Sequence, residues 1–579
     1  LRRPKLPGMW AQLPAVQGSD RGTGLASSRE VFLAHPISRR SEDSLASGAS
    51  DTPSPGFEVA QPSANVANVV TAQSNCGDRK TIGFCAGVAL LINNITGPGV
   101  PSLPNVFAES GWLVPTICIL LISTATTLSA AMFSEAMRRI PGNTDFEGRV
   151  EYTTVIKHYF GRGWFIAAQI GLNGTLQCLN IISVVQSVQV MDGILSMVFG
   201  KSCALNLTPF QNVWTNSTGS ALPVSSSTDF FSCIDLGNVA DGGNAWGCHV
   251  VLSMGFLVVM LMVIPCGRWN LDDNMTIQVA AFSLTVACWV VWAIASASSL
   301  GQEGAGLRMF NTEPHRGSQA AVLGAVLFNF GFVTTVPSWV NEKQPGVSVN
   351  RTLWTATLGC ITVFFAVGLL GGAAFSDVLA GQVHNTCPRQ LLNDAFQCHN
   401  DLMQVLTSSD FNAGFIVKTS VYIFPTVAVV SSIPVFSIVV KYNMIETGFS
   451  PRSSFFWGVV LPWLIALPLV YIPNSLAQFI NYSSLIFVSF TDFILPLLLY
   501  IVMERMELPE PEQDAICHQG SRPHHALPPC WRCSRAGKKF LAALIASGLS
   551  VGAIMAMFFT MEQSTFDLDD QTCALVGGS

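Results

Sequence analysis

The chain has 579 residues, of which 50% are hydrophobic and only 11% charged, against roughly 25% charged for an average soluble domain. Its net charge is −6 and no polar segment carries a clustered basic surface, which argues against a nucleic-acid partner. There is no Walker loop, no HExxH and no G-x-S-x-G, so nucleotide-driven pumping and the hydrolytic chemistries of those motifs find no support, and no enzyme activity is expected.

Taken in order, residues 1–79 are rich in Ser, Pro, Gly, Ala and Arg without sustained periodicity, which predicts a disordered cytosolic tail. The chain opens on Leu1 rather than Met, as expected of a fragment or an incomplete gene model, and no signal peptide is read in the first 75 residues. Apolar runs long enough to cross about 30 Å of hydrocarbon follow. They occupy 82–108, 112–136, 164–191, 249–266, 275–299, 318–340, 352–376, 419–440, 455–473, 475–502 and 540–561. These eleven spans predict an all-α polytopic membrane protein with a transmembrane domain over 80–562 and a short outer C-terminal tail over 563–579.

Orientation follows from the basic residues, which favour the cytoplasmic side. With the N-terminus inside, 25 of the 30 Lys and Arg fall inside, and only Lys201, Arg308, Arg316, Arg389 and Lys418 fall outside. The sequons at Asn206 and Asn216 lie in a loop placed outside and are expected to carry glycans, whereas Asn350 falls inside. The outer loops hold Cys203, Cys233 and Cys248, then Cys387 and Cys398. A disulfide is expected between Cys387 and Cys398, while the first loop has an odd thiol and its pairing stays open. The inner segment with Cys517-His518, His524-His525 and Cys530-Trp531-Arg532-Cys533 has a single CxxC and irregular His spacing, so no metal site is read there.

Two spans are interrupted at matching places. The first breaks at Thr96-Gly97-Pro98-Gly99-Val100-Pro101 and the second at Asn329-Phe330-Gly331-Phe332, with Pro337 beyond. Freed backbone groups cost several kcal/mol in hydrocarbon, so such breaks survive where they line an enclosed cavity. A matched pair points to a transporter binding site near the bilayer midplane. At the first break the half-helix after Gly97, Pro98 and Gly99 offers a positive dipole end to a carboxylate. The carbonyls around Asn93, Asn94 and Thr96 suit a cation or an ammonium group. The second break adds Asn329 and Gly331, with Phe328 and Phe330 placed to close over a side chain. A single Gly-Pro pair is equally a packing kink; the pairing of two breaks is what favours a site.

Other polar residues inside the spans carry two readings each. Asn173, Thr175, Gln177 and Asn180 form a stripe that either faces substrate or joins helices, and joining is the preferred reading. Asp192 lies near an outer span end, and Asp492 sits in Phe490-Thr491-Asp492-Phe493-Ile494-Leu495-Pro496. An intramembrane carboxylate is a functional hypothesis by default. Asp492 either takes up a proton or anchors the inner gate, or it packs against Thr491 or inner-loop Arg residues. Glu135 is expected to pair with Arg138 and Arg139 at the rim.

The stretch Leu91–Pro104 followed by Glu109-Ser110-Gly111-Trp112 resembles the first span of the amino acid/auxin permease family. That family includes sodium-coupled neutral and vacuolar amino acid transporters. Pro265–Asn274 resembles its fourth inner loop and Asn329–Trp339 its sixth span. The likeness runs from about Thr81 to Met561. It implies a LeuT-type fold of two inverted five-helix repeats plus one helix, and secondary active transport of amino acids, small neutral ones in particular. It also implies that a hydroxyl pair at the depth of Ser431 and Ser432, facing carbonyls of the first span, holds sodium; the alternative is that these small residues only let helices approach. The expected coupling ion is sodium or a proton, with no other cofactor. The expected partners are the amino acid and the lipid bilayer of a plasma or vacuolar/lysosomal membrane, and the oligomeric state is open. A sensor of the same fold, signalling through its cytosolic tail, is the alternative.

Overall fold

A computed structural model describes residues 80–143, 146–207, 231–234, 251–269, 271, 274–300, 306–310, 319–379, 401–407, 414–470, 475–505 and 535–567. The expectations for the tail over 1–79, for Asn216, for Cys387 and Cys398, and for the cysteines and histidines between 517 and 533 lie outside these residues.

The first apolar run forms two helices, α1 (Phe84–Ile95) and α2 (Leu103–Ser110), joined by a 3-10 turn at Val100–Ser102 and bent by 53°. α2 ends at Gly111, whose φ of 84° belongs to glycine; a Cβ there would also meet the Met309 carbonyl oxygen at 2.8 Å. Next come α3 (Leu113–Arg138), the short α4 (Tyr152–Phe160) and α5 (Arg162–Phe199). At 38 residues, α5 is about 57 Å long, longer than the run 164–191 required.

Three short strands follow, β1 (Ser202–Asn206), β2 (Phe231–Ile234) and β3 (Val251–Ser253), in the antiparallel order β2-β1-β3. The sheet is a small addition to an otherwise helical architecture. The run 249–266 begins in β3, and its helix, α6 (Met254–Cys266), has only 13 residues. Cys203 and Cys233 face each other across β1 and β2 and form a disulfide. Strand register therefore settles the pairing that composition left open.

The longer elements that remain are α7 (Met275–Ser299), α8 (Gln319–Asn329), α9 (Val336–Glu342), α10 (Val349–Ala374), α11 (Phe415–Glu446), α12 (Pro451–Leu469), α13 (Phe479–Met503) and α14 (Arg535–Asp567), with single turns at Ser376–Leu379 and Leu402–Thr407 between α10 and α11. α14 runs beyond 562, so the tail expected from 563 begins within a helix. Stretches of α10 to α13 adopt wider π turns, the longest over Ser484–Ile494. Ser348 and Ser450 cap α10 and α12 by accepting from the amides of Arg351 and Ser453.

Among the described residues nine helical segments are long and apolar enough to cross a membrane, and the bent pair α1–α2 makes ten. The eleventh expected span coincides with α6, which is too short for that test. Close packing relies on small residues: a Cβ on Gly174 would lie 2.4 Å from the ring of Phe487, bringing α5 against α13.

One end of the bundle is basic. There Arg138 and Arg139 bond Glu135 at 2.6 and 3.4 Å, and Arg139 reaches Glu504 at 3.0 Å. Glu135 is buried, so this is an interior network rather than the rim pair expected. Removing one member would cost roughly 3–5 kcal/mol by stranding its partners. The other end carries the sheet, where Asp192 accepts bonds from the Ser202 and Ser253 hydroxyls and the Gly255 amide. Asp192 is thus a structural clasp between α5, the sheet and α6.

Candidate functional site

The two breaks meet. α1 stops at Thr96, whose amide and hydroxyl both donate to the Ile92 carbonyl. Pro98 has no N–H to continue the helix, and the amides of Gly97 and Gly99 donate to no backbone carbonyl among the described residues. On the other side α8 ends at Asn329, the chain turns through Phe330–Phe332, and a 3-10 turn at Val333–Thr335 leads into α9. A Cβ built on Gly99 would lie 2.6 Å from Oδ1 of Asn329. Asn94 Nδ2 donates to the Thr335 hydroxyl at 3.1 Å. Asn93 to Val100 and Phe328 to Thr335 are all buried.

Gly97 differs from Gly99. Its added Cβ would meet nothing within 4 Å, and its φ is not positive. Open space therefore adjoins the first break at Gly97, whereas Asn329 fills the side of Gly99.

Several buried amide oxygens on or bonded to the two breaks go unpaired. Among the described residues, Oδ1 of Asn93, Asn94 and Asn329 and Oε1 of Gln186 have no hydrogen-bond partner. Their nitrogens are all engaged. Asn93 donates to the Gln278 backbone and side chain at 3.0 Å each, Asn329 to the Ala325 carbonyl, and Gln186 to the Pro98 carbonyl at 3.4 Å. Buried polar atoms in folded proteins are nearly always paired, so these acceptors are available to a donor or a cation. An ammonium group brings three donors and no acceptor.

Of the residues singled out from the sequence, the structure brings together Asn93, Asn94, Thr96, Gly97, Pro98, Gly99, Asn329 and Thr335's neighbours in the second break. Phe330 is fully buried, packs edge-on against Phe364 at 5.2 Å, and its carbonyl accepts from the Thr126 hydroxyl at 3.0 Å. A Cβ on Gly331 would touch Val488 of α13 at 2.8 Å. Ser431 and Ser432 turn their hydroxyls back to the Ala428 and Val429 carbonyls of their own helix. Ser431 is tied to the first break through its carbonyl, which accepts from Gln278, the partner of Asn93.

Asp492 stands at the second break. Its carboxylate accepts from the Thr334 amide at 3.1 Å, the Val333 amide and the Thr491 hydroxyl at 2.8 Å. A resident carboxylate thus occupies the N-terminus leading into α9. The Thr491 partner was among the alternatives read from the sequence; no Arg reaches Asp492 among the bonds of the described residues. In the stripe on α5, Thr175 bonds Thr491, Gln177 bonds the Trp457 carbonyl and Asn180 bonds Ser437, all on other helices. Asn173 instead donates to Gln169 of its own helix. Three of the four therefore join helices.

Two residues escaped the sequence reading. Gln186 and Gln278 are isolated amides in apolar spans, a signal available in the sequence but outweighed by the denser stripe around Asn173.

The family described as transmembrane amino acid transporter protein matches residues 80–512. The chain belongs to that family. Its fold is LeuT-type: a solved structure described as MhsT in complex with L-phenylalanine is similar over 83% of this chain and 99% of that one, with 12% identity and a TM-score of 0.50. No curated protein sequence matches the chain significantly. The chain is therefore an integral membrane protein of an amino acid transporter family.

Proposed function

We propose that this protein is a secondary active transporter of small neutral amino acids, working by alternating access around the paired breaks. The observation that carries the reading is the open space at Gly97 on a pair of breaks that also holds unpaired buried amide oxygens. The substrate carboxylate binds at the exposed amides entering the Val100–Ser102 turn. Its ammonium group takes the free oxygens of Asn93, Asn329 and Gln186. Phe328 and Phe330 bound the side-chain space and favour small substrates. Asn94, Ser431, Ser432 and Asp492 are the candidates for coupling to sodium or a proton. In this reading the basic end faces the cytosol, eleven segments cross the membrane, and the sheet end with Asn206 faces outward, in a plasma or vacuolar membrane.

Equilibrium binding of labelled amino acids to the purified protein tests the reading. Alanine, serine or glycine should bind saturably, and binding should fall at least about tenfold, or 1.4 kcal/mol, in Gly97→Val. Binding unaltered in Gly97→Val would place the substrate elsewhere.

A further inference from the structure

α7 reaches the first break through one side chain. Asn93 Nδ2, in the last turn of α1, donates to both the Gln278 backbone carbonyl and Gln278 Oε1 at 3.0 Å. Gln278 Nε2 in turn donates to the Ser431 carbonyl of α11 at 2.5 Å. All three residues are buried.

An amide side chain has a donor end and an acceptor end, and turning it over exchanges them. Neither of these two amides can turn. A backbone carbonyl only accepts, so turning Gln278 would set Oε1 against the Ser431 oxygen. Turning Asn93 would set Oδ1 against the Gln278 carbonyl and Oε1. The bonds therefore run one way, from α1 through α7 to α11, and Gln278 offers an acceptor to each hydrogen of the Asn93 amide. What Asn93 keeps is its oxygen, which has no partner among the described residues.

Asn94, the next residue, is held to the same polarity by other means. Its Nδ2 donates to the Thr335 hydroxyl, whose single hydrogen goes to the Phe332 carbonyl. Thr335 can then only accept, and Asn94 too is left with a bare oxygen. Two separate arrangements thus leave oxygen, not N–H, free on the last turn of α1, and Asn93 stands about one turn before Gly97.

We propose that Gln278 is a positioning residue for substrate selection: it holds Asn93 as an acceptor, so that the first break favours a ligand with an ammonium group over the analogue with a hydroxyl in its place. This rests on the transporter reading, in which the substrate ammonium binds Asn93. An ammonium brings three donors and no acceptor, whereas a hydroxyl brings one donor and two lone pairs. Its bond to Asn93 also lacks the added strength of a charged donor. Without the Gln278 side chain, Asn93 keeps one backbone acceptor and gains a free N–H, which a hydroxyl lone pair can use. Discrimination then weakens. The bare oxygens suit a metal cation as well as an ammonium, and the test separates the two.

The test is displacement of labelled L-alanine from the purified full chain in lipid nanodiscs by unlabelled L-alanine and by L-lactate, which carries a hydroxyl in place of the ammonium. Gln278→Met, with Gln278→Leu as a second variant, removes donor and acceptor together. Either should weaken alanine roughly tenfold, the scale of one hydrogen bond to a charged group, and weaken lactate far less. The preference for alanine over lactate should therefore drop. Protonated, the side chain of Gln278→Glu has a carbonyl for Asn93 and a hydroxyl for Ser431, so at acid pH this variant should recover the wild-type preference. A preference unchanged in Gln278→Met and Gln278→Leu, or no recovery by Gln278→Glu at acid pH, would reduce Gln278 to packing and overturn the proposal. Melting curves with and without sodium cover the cation: a change confined to the sodium response, with the preference unmoved, assigns Asn93 to an ion and overturns it too. If folded wild type binds no amino acid, the transporter reading fails and takes the proposal with it. If alanine binds and only the preference stays put, that reading stands and the proposal alone fails.

Discussion

Gly99 and Asn329 touch across the two breaks: a Cβ on Gly99 would sit 2.6 Å from the Asn329 amide oxygen. The contact explains why glycine is needed there and not only in a nearby kink. It also separates two glycines that look interchangeable. Gly99→Ala must displace Asn329, whereas Gly97→Ala meets open space on a backbone that tolerates it. Gly97→Ala should therefore leave thermal stability within about 0.5 kcal/mol, the usual range for a substitution that touches nothing, yet weaken amino acid binding. Gly99→Ala should lower both, and Asn329→Ala combined with it should restore part of the stability. Thermal unfolding and ligand binding on the four proteins decide the matter; equal stability losses at Gly97 and Gly99 would contradict the geometry.

Coupling separates two sets of residues. If sodium drives transport, Ser431→Ala with Ser432→Ala should raise the sodium concentration needed for half-maximal uptake several-fold and leave the pH profile alone. Among the described residues their hydroxyls bond only within their own helix, so the fold should survive. Asp492→Asn places an amide N–H against the Thr334 and Val333 amides it now serves. It should cost about 1–3 kcal/mol of stability through unsatisfied buried donors and slow uptake. Unchanged uptake in Asp492→Asn would remove Asp492 from the gate.

Topology is open to a direct check. Asn206 lies in β1, opposite Val251, at the end expected to face outward. Glycosidase treatment should shift the mobility of wild type and leave Asn206→Gln with Asn216→Gln unshifted. A shift that persists in that double variant would reverse the orientation argued from charge.

The sheet end should resist unfolding because of two clasps. The Cys203–Cys233 disulfide is expected to contribute about 2–4 kcal/mol, the usual range for such bridges. Asp192→Ala strands two hydroxyls and an amide, at a cost of about 1–3 kcal/mol for each group left buried without a partner. Both should lower the melting temperature without changing substrate affinity, since neither touches the breaks. A loss of affinity at constant stability would tie this end to the transport path.

The breaks were legible because Gly and Pro clusters inside an apolar run are a positive signal with a stated cost. The polar stripe on α5 was legible for the same reason, and three of its four residues do bond across helices. The length of α5 and the start of α6 were not, since β3 is three residues long and its apolar side chains continue the pattern of a span. The Cys203 pairing needed the register of β1 and β2. Gln278 shows the same limit: its importance lies in joining Asn93 to the Ser431 carbonyl, a relation among three helices.

The most direct measurement of the central claim is exchange in liposomes. Purified wild-type protein is reconstituted with unlabelled alanine inside, and entry of labelled alanine, serine, leucine and arginine is followed with and without sodium and pH gradients, beside Gly97→Val. Wild type should accumulate small neutral amino acids under at least one gradient and exchange them against internal alanine, while Gly97→Val, folded and inserted, should do neither. Full exchange by Gly97→Val, or no entry of any amino acid into wild-type vesicles under either gradient, would contradict that claim.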